Sequence, residues 1–228
     1  AIQEATASGA PLNPGQAALV RELASSGCRL QLSLAPAGTG KTTALAVLAR
    51  AWTGDGGTII GLAPSAAAAA VLSAELNGLR TGGGICDGGG VRGGGVAVPT
   101  DTLAKLLWSV DQLTGQGGGA DGQPGPVPRW VGQIGPDTLV VLDEAGMAGT
   151  TELARAVEFI VGWGGSVRLI GDDQQLAAIG AGGVLRDLAE TCGAVTLSQV
   201  VRFTDPAEGA ASLALRAGEL SAIGFYID

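Results

Sequence analysis

The sequence contains no histidine, which excludes every mechanism that uses an imidazole as a base, a nucleophile or a metal ligand. Aromatic residues make up only 4% of the 228 residues, so small aliphatic side chains must build the core. The three cysteines, Cys28, Cys86 and Cys192, lie far apart and form no C-x-x-C pair. This spacing argues against a disulfide framework or a zinc site, and it predicts a protein of the reducing cytoplasm.

Basic residues are also scarce, since 13 Lys and Arg face 21 Asp and Glu and give a net charge of −8. This balance argues against a dominant basic nucleic-acid surface on this part of the chain, although such a surface could belong to another domain. The longest apolar run, residues 66–72, is too short to span a bilayer, so no membrane segment is predicted. The first residue is not methionine, and we expect the chain to be a piece of a longer protein.

The octapeptide APAGTGKT at residues 35–42 lies between an apolar run at 30–34 and a helix-forming run at 43–51. A strand, a glycine-containing loop and a Lys-Thr pair that opens a helix form the layout of a phosphate-binding loop. The loop N–H groups attract anions, Lys41 adds a positive charge, and Thr42 supplies a hydroxyl ligand for a nucleotide-bound Mg²⁺. The sequence therefore predicts a nucleotide site that uses Mg²⁺.

One position departs from the G-x-x-x-x-G-K-[ST] pattern, because Ala35 occupies the place of the first glycine. An alanine there costs little if its φ is ordinary, and Gly38 and Gly40 remain in the tight part of the loop. The alternative interpretation is a chance glycine-rich turn between a strand and a helix.

Short apolar runs alternate with helix-forming segments along the chain. Strands are predicted at residues 30–34, 58–62, 138–142, 166–170 and 194–197, and helices at 14–26, 43–51, 66–76, 101–110, 151–161 and 183–190. This alternation predicts an α/β fold in three layers, with a mostly parallel sheet flanked by helices on both faces. Two tracts are predicted to be surface insertions: residues 82–95, which are rich in glycine, and residues 115–128, which mix glycine with proline.

Polar residues follow the predicted strands at their carboxyl ends, where parallel sheets bind ligands. Asp143 and Glu144 follow the strand at 138–142 and offer one carboxylate for Mg²⁺ and one to activate water. Gln175 and Arg202 follow the next two strands and could contact a γ-phosphate. Each has a simpler alternative: a solvated turn for the carboxylates, a helix cap at Asp172 beside Gln175, and a surface position for Arg202.

The whole set of motifs, in this order, resembles the RecD-like branch of superfamily one DNA helicases. The segments LAPAGTGKTTALAVLARAW, DEAGMAGTTELA, GDDQQLAAIGAGGVLRDLA and LSQVVRF are most similar to the helicase part of conjugative relaxase-helicases of the TraA/TraI type. The resemblance covers about residues 10–225. It implies a RecA-like P-loop ATPase domain at residues 1–204, and a connection at 205–228 to a second RecA-like domain of the same chain.

The resemblance also implies roles for the matching residues. Lys41, Glu144, Gln175 and Arg202 would act in catalysis, while Thr42 and Asp143 would bind Mg²⁺. ATP would be bound by Gln16, Pro36, Ala37, Gly38, Thr39, Gly40, Lys41, Thr42 and Thr43. Gln16 would read the adenine edge, although a solvated helix position is an equal alternative. Ser65 and Thr102 would touch single-stranded DNA, and both are equally suited to cap helices.

Several functions remain open on the sequence alone. The first is the motor domain of a conjugative relaxase-helicase, with relaxosome proteins as possible partners. Its rivals are a RecD-type exonuclease V alpha subunit, a repair helicase, and a nucleotide-dependent switch that does not translocate. The 228 residues are expected to be inactive as a helicase on their own.

Overall fold

A single sheet of six parallel strands organises the part of the chain that the computed structural model describes, which is residues 12–36, 38–78, 97–115, 125–172, 184–197, 205–216 and 218–227. The spatial order of the strands is β3-β2-β4-β5-β1-β6, and all neighbouring pairs are parallel. The strands are β1 (Leu30–Leu34), β2 (Thr58–Ala63), β3 (Thr100–Thr102), β4 (Thr138–Leu142), β5 (Ser166–Gly171) and β6 (Val195–Thr196).

Helices connect the strands and cover both faces of the sheet. They are α1 (Pro14–Ser25), α2 (Lys41–Gly54), α3 (Ala66–Gly78), α4 (Leu103–Thr114), α5 (Thr150–Gly162), α6 (Val184–Cys192), α7 (Pro206–Arg216) and α8 (Gly224–Ile227). Short 3₁₀ turns lie at Val131–Gln133, Ala145–Met147 and Leu220–Ile223. None of the described helices is long and apolar enough to cross a membrane.

The core consists of two apolar layers, one on each face of the sheet. Strand β4 shows the division most clearly, because Leu139 and Val141 pack with α1, α2 and α3, whereas Val140 and Leu142 pack with α4, α5 and α6. Successive side chains of a strand point to opposite faces, so a strand covered on both sides is expected to be mostly apolar. All five residues of β4 are buried, which explains the unbroken apolar run at residues 139–142 that follows Thr138.

The predicted fold is confirmed: a parallel sheet with helices on both faces, in three layers, typical of a RecA-like P-loop α/β domain. The sheet has one more strand than predicted, since β3 pairs with β2 at the sheet edge. Its sequence, Thr-Asp-Thr, has no apolar residue that would indicate a strand. Helix α2 begins at Lys41, two residues before the predicted start at residue 43.

The two glycine-rich tracts lie mostly outside the described residues, namely all of 82–95 and residues 116–124 of the second tract. Gly115, where the second tract begins, ends α4 with a φ of 74°, a left-handed value that suits glycine. Helices α7 and α8 lie in the region predicted to lead to a second domain, and that role stays a prediction.

Candidate nucleotide-binding site

The predicted phosphate-binding loop joins the carboxyl end of β1 to the first turn of α2. Gly38 and Gly40 have φ values of 83° and 75°, which a residue with a Cβ atom adopts only at a cost. Thr39 is fully buried, and its hydroxyl donates a hydrogen bond to the Pro36 carbonyl at 2.7 Å. The two glycines therefore bend the loop, and the Thr39 side chain holds it in place. Ala37 lies outside the described residues.

Ala35 begins the loop without backbone strain. It does not share the positive φ of Gly38 and Gly40, and its N–H donates to the carbonyl of Gly171 at the end of β5, at 2.8 Å. The methyl group is buried. The structure therefore meets the condition under which alanine is tolerated in place of the usual glycine.

Gln16, on α1, contacts the loop from the side. Its Nε2 donates to the carbonyls of Gly40 at 3.0 Å and Thr39 at 3.4 Å. Its Oε1 accepts from the N–H of Asn13, which in turn caps α1 through the N–H of Gln16. The buried amide is thus engaged at both ends, so Gln16 is not the solvated residue of the simpler alternative. Contact with an adenine stays a prediction.

Lys41 points toward the carboxyl end of β4, where two carboxylates receive its ammonium group. Its Nζ lies 2.7 Å from Asp143 Oδ1 and 3.0 Å from Glu144 Oε1. Lys41 therefore meets two residues that follow it by 102 and 103 positions in the sequence. This contact joins the loop and the carboxylate pair that the sequence placed in one site.

Thr42, the next residue, donates its hydroxyl hydrogen bond to Glu75 Oε1 at 2.6 Å. Glu75 lies on α3 and is the only charged residue of that helix. The sequence analysis did not predict Glu75 as a site residue, because it lies 33 positions from Thr42 and only the packing of α3 brings the two together. One signal was available: a lone glutamate in an alanine-rich helix, between Leu72 and Leu76, which are both fully buried.

Among the described residues of the site, three carboxylates and one lysine leave an excess of negative charge. Burial lowers the pKa of Lys41, but its attraction and hydrogen bonds to Asp143 and Glu144 outweigh burial, so the pKa is raised. The pKa of Asp143 is raised, chiefly by burial, although the charge and hydrogen bond of Lys41 lower it; burial likewise raises the pKa of Glu75. The negative charge of Glu144 further raises the pKa of Asp143, and the charges of Asp143 and Glu144 further raise the pKa of Glu75. A divalent cation would relieve this excess of negative charge.

The donor set suits Mg²⁺, which prefers hard oxygen ligands. Thr42 supplies a hydroxyl at the residue that follows Lys41, and Asp143 supplies a carboxylate that contacts the Lys41 ammonium group. In addition, Oε2 of Glu75 is buried without a hydrogen-bond partner among the described residues. We infer that the residues present fit a Mg²⁺ ion bound together with nucleotide phosphates.

Glu144 has a backbone conformation unusual for its residue type. Its φ of 52° is the one positive value at a non-glycine residue in the described parts of the chain. Its N–H donates to Asp143 Oδ1 at 2.9 Å, and a 3₁₀ turn begins at the next residue. Strained conformations of this kind persist where the surroundings hold them, and they concentrate at functional sites.

The two candidate DNA-contacting hydroxyls lie at or just after the carboxyl ends of two paired strands, β2 and β3. In the sheet register Ala63 of β2 is paired with Thr102 of β3, and Ser65 follows two residues after Ala63. Both hydroxyls cap helices: Ser65 Oγ accepts from the N–H of Ala68, and Thr102 Oγ1 from the N–H of Lys105, each at 3.1 Å. The capping alternative is therefore observed for both, while DNA contact stays a prediction.

The remaining predicted site residues are Thr43, Gln175 and Arg202. Thr43 lies in the first turn of α2, next to the Mg²⁺ candidates. Gln175 and Arg202 lie outside the described residues, so their approach to a phosphate stays a prediction.

Comparison with known proteins gives related sequences over most of the chain. A family model described as "AAA domain" matches residues 11–228. A probable conjugal transfer protein TraA of Sinorhizobium fredii is 27% identical over 195 residues, which cover 86% of this chain and 14% of that protein. A conjugal transfer protein TraA of Agrobacterium fabrum is 33% identical over 90 residues, 39% of this chain and 8% of that protein.

The chain therefore corresponds to a small part of these relatives, about one seventh of the length of the first. Among solved structures, the chain is similar to one titled "The structure of PRRSV helicase", with a TM-score of 0.31 and 15% identity over 76% of this chain and 30% of the other.

Proposed function

Because the chain belongs to the AAA domain family, we propose that it is the ATP-hydrolysing motor domain of a DNA helicase, within a conjugative relaxase-helicase. The observation that carries the proposal is the meeting of Lys41 with Asp143 and Glu144 at the carboxyl end of a parallel sheet. The similarity to two conjugal transfer proteins supports the choice of a relaxase-helicase over a repair enzyme.

In this proposal the loop and Lys41 bind the β- and γ-phosphates of ATP. Lys41 exchanges its two carboxylate partners for phosphate oxygens, and charge-assisted hydrogen bonds of this kind are among the strongest in proteins. The first turn of α2 adds N–H groups that have no partner within the helix. Thr42 and Asp143 hold Mg²⁺, which neutralises charge on the phosphates.

Once Lys41 has moved to the phosphates, Glu144 is free to act as a base. Its side chain is 27% exposed, which leaves one side open to water. Its carboxylate then accepts a proton from the water that attacks the γ-phosphate, while the bent backbone keeps it in place. Gln175 and Arg202 complete the proposal as the γ-phosphate sensor and the stabiliser of its developing charge.

The proposal includes three partners: single-stranded DNA, a second RecA-like domain and relaxosome proteins. Ser65 and Thr102 would contact the phosphates of single-stranded DNA without reading its sequence. A second RecA-like domain of the same chain would close the cleft over ATP, and relaxosome proteins would assemble with the whole protein.

Lys41→Ala tests the proposal at its centre, because it removes the positive charge that binds phosphate. We expect binding of ATP in the presence of Mg²⁺ to be lost in a fluorescence titration of the 228-residue chain. The chain offers a matched control, since Lys105 is its only other lysine and lies on α4. Lys105→Ala should bind as the unsubstituted chain does.

Equal nucleotide binding by Lys41→Ala and Lys105→Ala would contradict the assignment of the site. A second outcome would keep the site but change the function. If Lys41→Ala abolished ATP binding while DNA did not speed ATP hydrolysis by the whole protein, the proposed function would be a nucleotide-dependent switch and not a motor.

A further inference from the structure

Glu75 is a charged residue of the site that the proposed mechanism does not use. It reaches Thr42 from α3, across 33 residues of sequence, and accepts a hydrogen bond of 2.6 Å from the Thr42 hydroxyl. The other carboxylate oxygen, Oε2, is buried and has no partner among the described residues. A buried polar atom without a partner is uncommon and costly in a folded protein, so it calls for an explanation.

The direction of this hydrogen bond determines what Thr42 can still do. A hydroxyl has one proton to donate and two lone pairs, while an ionised carboxylate can only accept. Thr42 therefore directs its proton to Glu75 and keeps its oxygen lone pairs for a cation. Glu75 and a Mg²⁺ ion thus use different sides of the same oxygen and do not compete for it.

The charges around Glu75 lead to the same expectation. Lys41 is already shared by Asp143 and Glu144, so the carboxylate of Glu75 adds negative charge without adding a cation. Among the described residues of the site, three carboxylates face one lysine, an arrangement that a bound cation would stabilise. A divalent cation at Thr42 would supply that charge beside the unpartnered oxygen.

We propose that Glu75 is a positioning residue of the Mg²⁺ site, which orients the Thr42 hydroxyl toward the ion and strengthens Mg²⁺ binding from outside the direct ligands. The proposal rests on the proposed function, because it concerns the same nucleotide-bound ion. Outer partners that hold the ligands of a metal ion typically change metal affinity by about 10- to 100-fold when removed. Through Glu75, α3 would take part in nucleotide binding together with the loop and the carboxyl end of β4.

Glu75→Gln tests this inference, because glutamine keeps the size of the side chain and removes its charge. The measurement is the binding of a fluorescent ADP analogue to the 228-residue chain, titrated with MgCl₂ and repeated in EDTA. We expect the Mg²⁺ concentration for half-maximal binding to rise about tenfold. Binding in EDTA should stay equal or become tighter, since one negative charge near the phosphates has been removed.

Glu158→Gln is the matched control, since it makes the same change at an exposed position of α5. It should leave both titrations unchanged. In a Thr42→Ala background, Glu75→Gln should have little additional effect on the Mg²⁺ titration, because Glu75 acts through Thr42. If Glu75→Gln melts at a much lower temperature, Glu75→Asp replaces it, since aspartate keeps the charge but is too short for the same contact.

An unchanged Mg²⁺ requirement in Glu75→Gln, or in the aspartate variant where that replaces it, would overturn the inference. A lower Mg²⁺ requirement would also overturn it, because Glu75 would then be a competitor of the ion. Failure of the unsubstituted chain to bind the analogue with Mg²⁺ would instead refute the proposed nucleotide site itself, and with it the role of Glu75. The outcomes therefore separate the two proposals.

Discussion

Asp143 and Glu144 are adjacent in sequence, yet the structure gives them different surroundings. Asp143 is buried at the end of β4, and its N–H still donates to the carbonyl of Leu62 in β2, at 2.9 Å. Glu144 lies beyond the last strand pairing, with a left-handed backbone and a more exposed side chain. The rigid residue suits a metal ligand, and the accessible residue suits a base that must meet water.

This difference predicts separate phenotypes for the two amide substitutions. Glu144→Gln should retain nucleotide and Mg²⁺ binding but slow ATP hydrolysis by about two to four orders of magnitude, the usual effect of losing a general base. Asp143→Asn should instead weaken the Mg²⁺-dependent part of nucleotide binding. Binding titrations and a phosphate-release assay on the whole protein distinguish the two effects. Exchanged phenotypes would show that we have assigned the two roles to the wrong residues.

The site could be predicted from the sequence where its residues lie in short motifs. The loop at 35–42 and the Asp-Glu pair after β4 carry their chemistry in adjacent residues, and a parallel sheet brings strand ends together. Glu75 could not be predicted, since only the packing of α3 brings it to Thr42. The engagement of Gln16 with the loop carbonyls is non-local in the same way, since the partners are separated by 23 and 24 positions in the sequence.

At the level of elements, burial on both faces decides what the sequence reveals. Strand β4 was predicted because burial on both faces gives it four consecutive apolar residues after Thr138. Strand β3 was not, because an edge strand of three polar residues has no periodic apolar pattern. The start of α1 was predicted correctly, because the Asn13 cap and Pro14 mark it clearly. The observed end of the helix differs from the predicted end by one residue.

Arg168 shows how a polar residue can occur in a buried strand. It lies in β5 with 1% of its surface exposed, on the face that packs against α1. Its guanidinium donates to three backbone carbonyls, those of Leu23 at 2.9 Å and of Cys28 and Val167 at 3.1 Å each. Burial lowers the pKa of Arg168, opposed by its interaction with Cys28. The residue therefore joins the end of α1 to the sheet.

Arg168→Met should destabilise the domain by about 3 kcal/mol, because it leaves buried carbonyls without donors. Chemical denaturation followed by circular dichroism measures this change. Arg21→Met is the control, since Arg21 lies on the exposed side of α1 and should change stability by less than about 0.5 kcal/mol. If the two variants unfold at the same denaturant concentration, Arg168 does not hold α1 in place.

At the scale of the whole molecule, the candidate nucleotide site lies at the carboxyl end of the described sheet, and its charged side chains remain partly exposed. The side chains of Lys41, Asp143 and Glu144 keep 18%, 9% and 27% of their surfaces exposed. Sites for nucleotide hydrolysis are usually closed by a second body that excludes water and adds charged groups. The described residues therefore provide one wall of the proposed cleft.

The net charge of −8 limits what this part of the chain does with DNA. Binding to nucleic acid depends on neutralising phosphates with lysine and arginine, and the chain has only two lysines among 13 basic residues. Lys41 would be occupied by the nucleotide. We therefore expect the hydroxyls of Ser65 and Thr102 to assist DNA contacts whose affinity comes from other parts of the whole protein.

These properties predict that the 228 residues bind ATP weakly with Mg²⁺ and do not unwind DNA. Two apolar layers cover both faces of the sheet, so the chain should fold without another domain. Movement along a strand, however, requires a cleft that opens and closes with nucleotide, and one wall has nothing to close against. A forked-duplex assay with ATP and Mg²⁺ tests this prediction, with the Lys41→Ala chain and a reaction without ATP as controls. ATP-dependent strand separation that Lys41→Ala abolishes would mean that this domain is a complete motor, and the proposed dependence on a second RecA-like domain would be wrong.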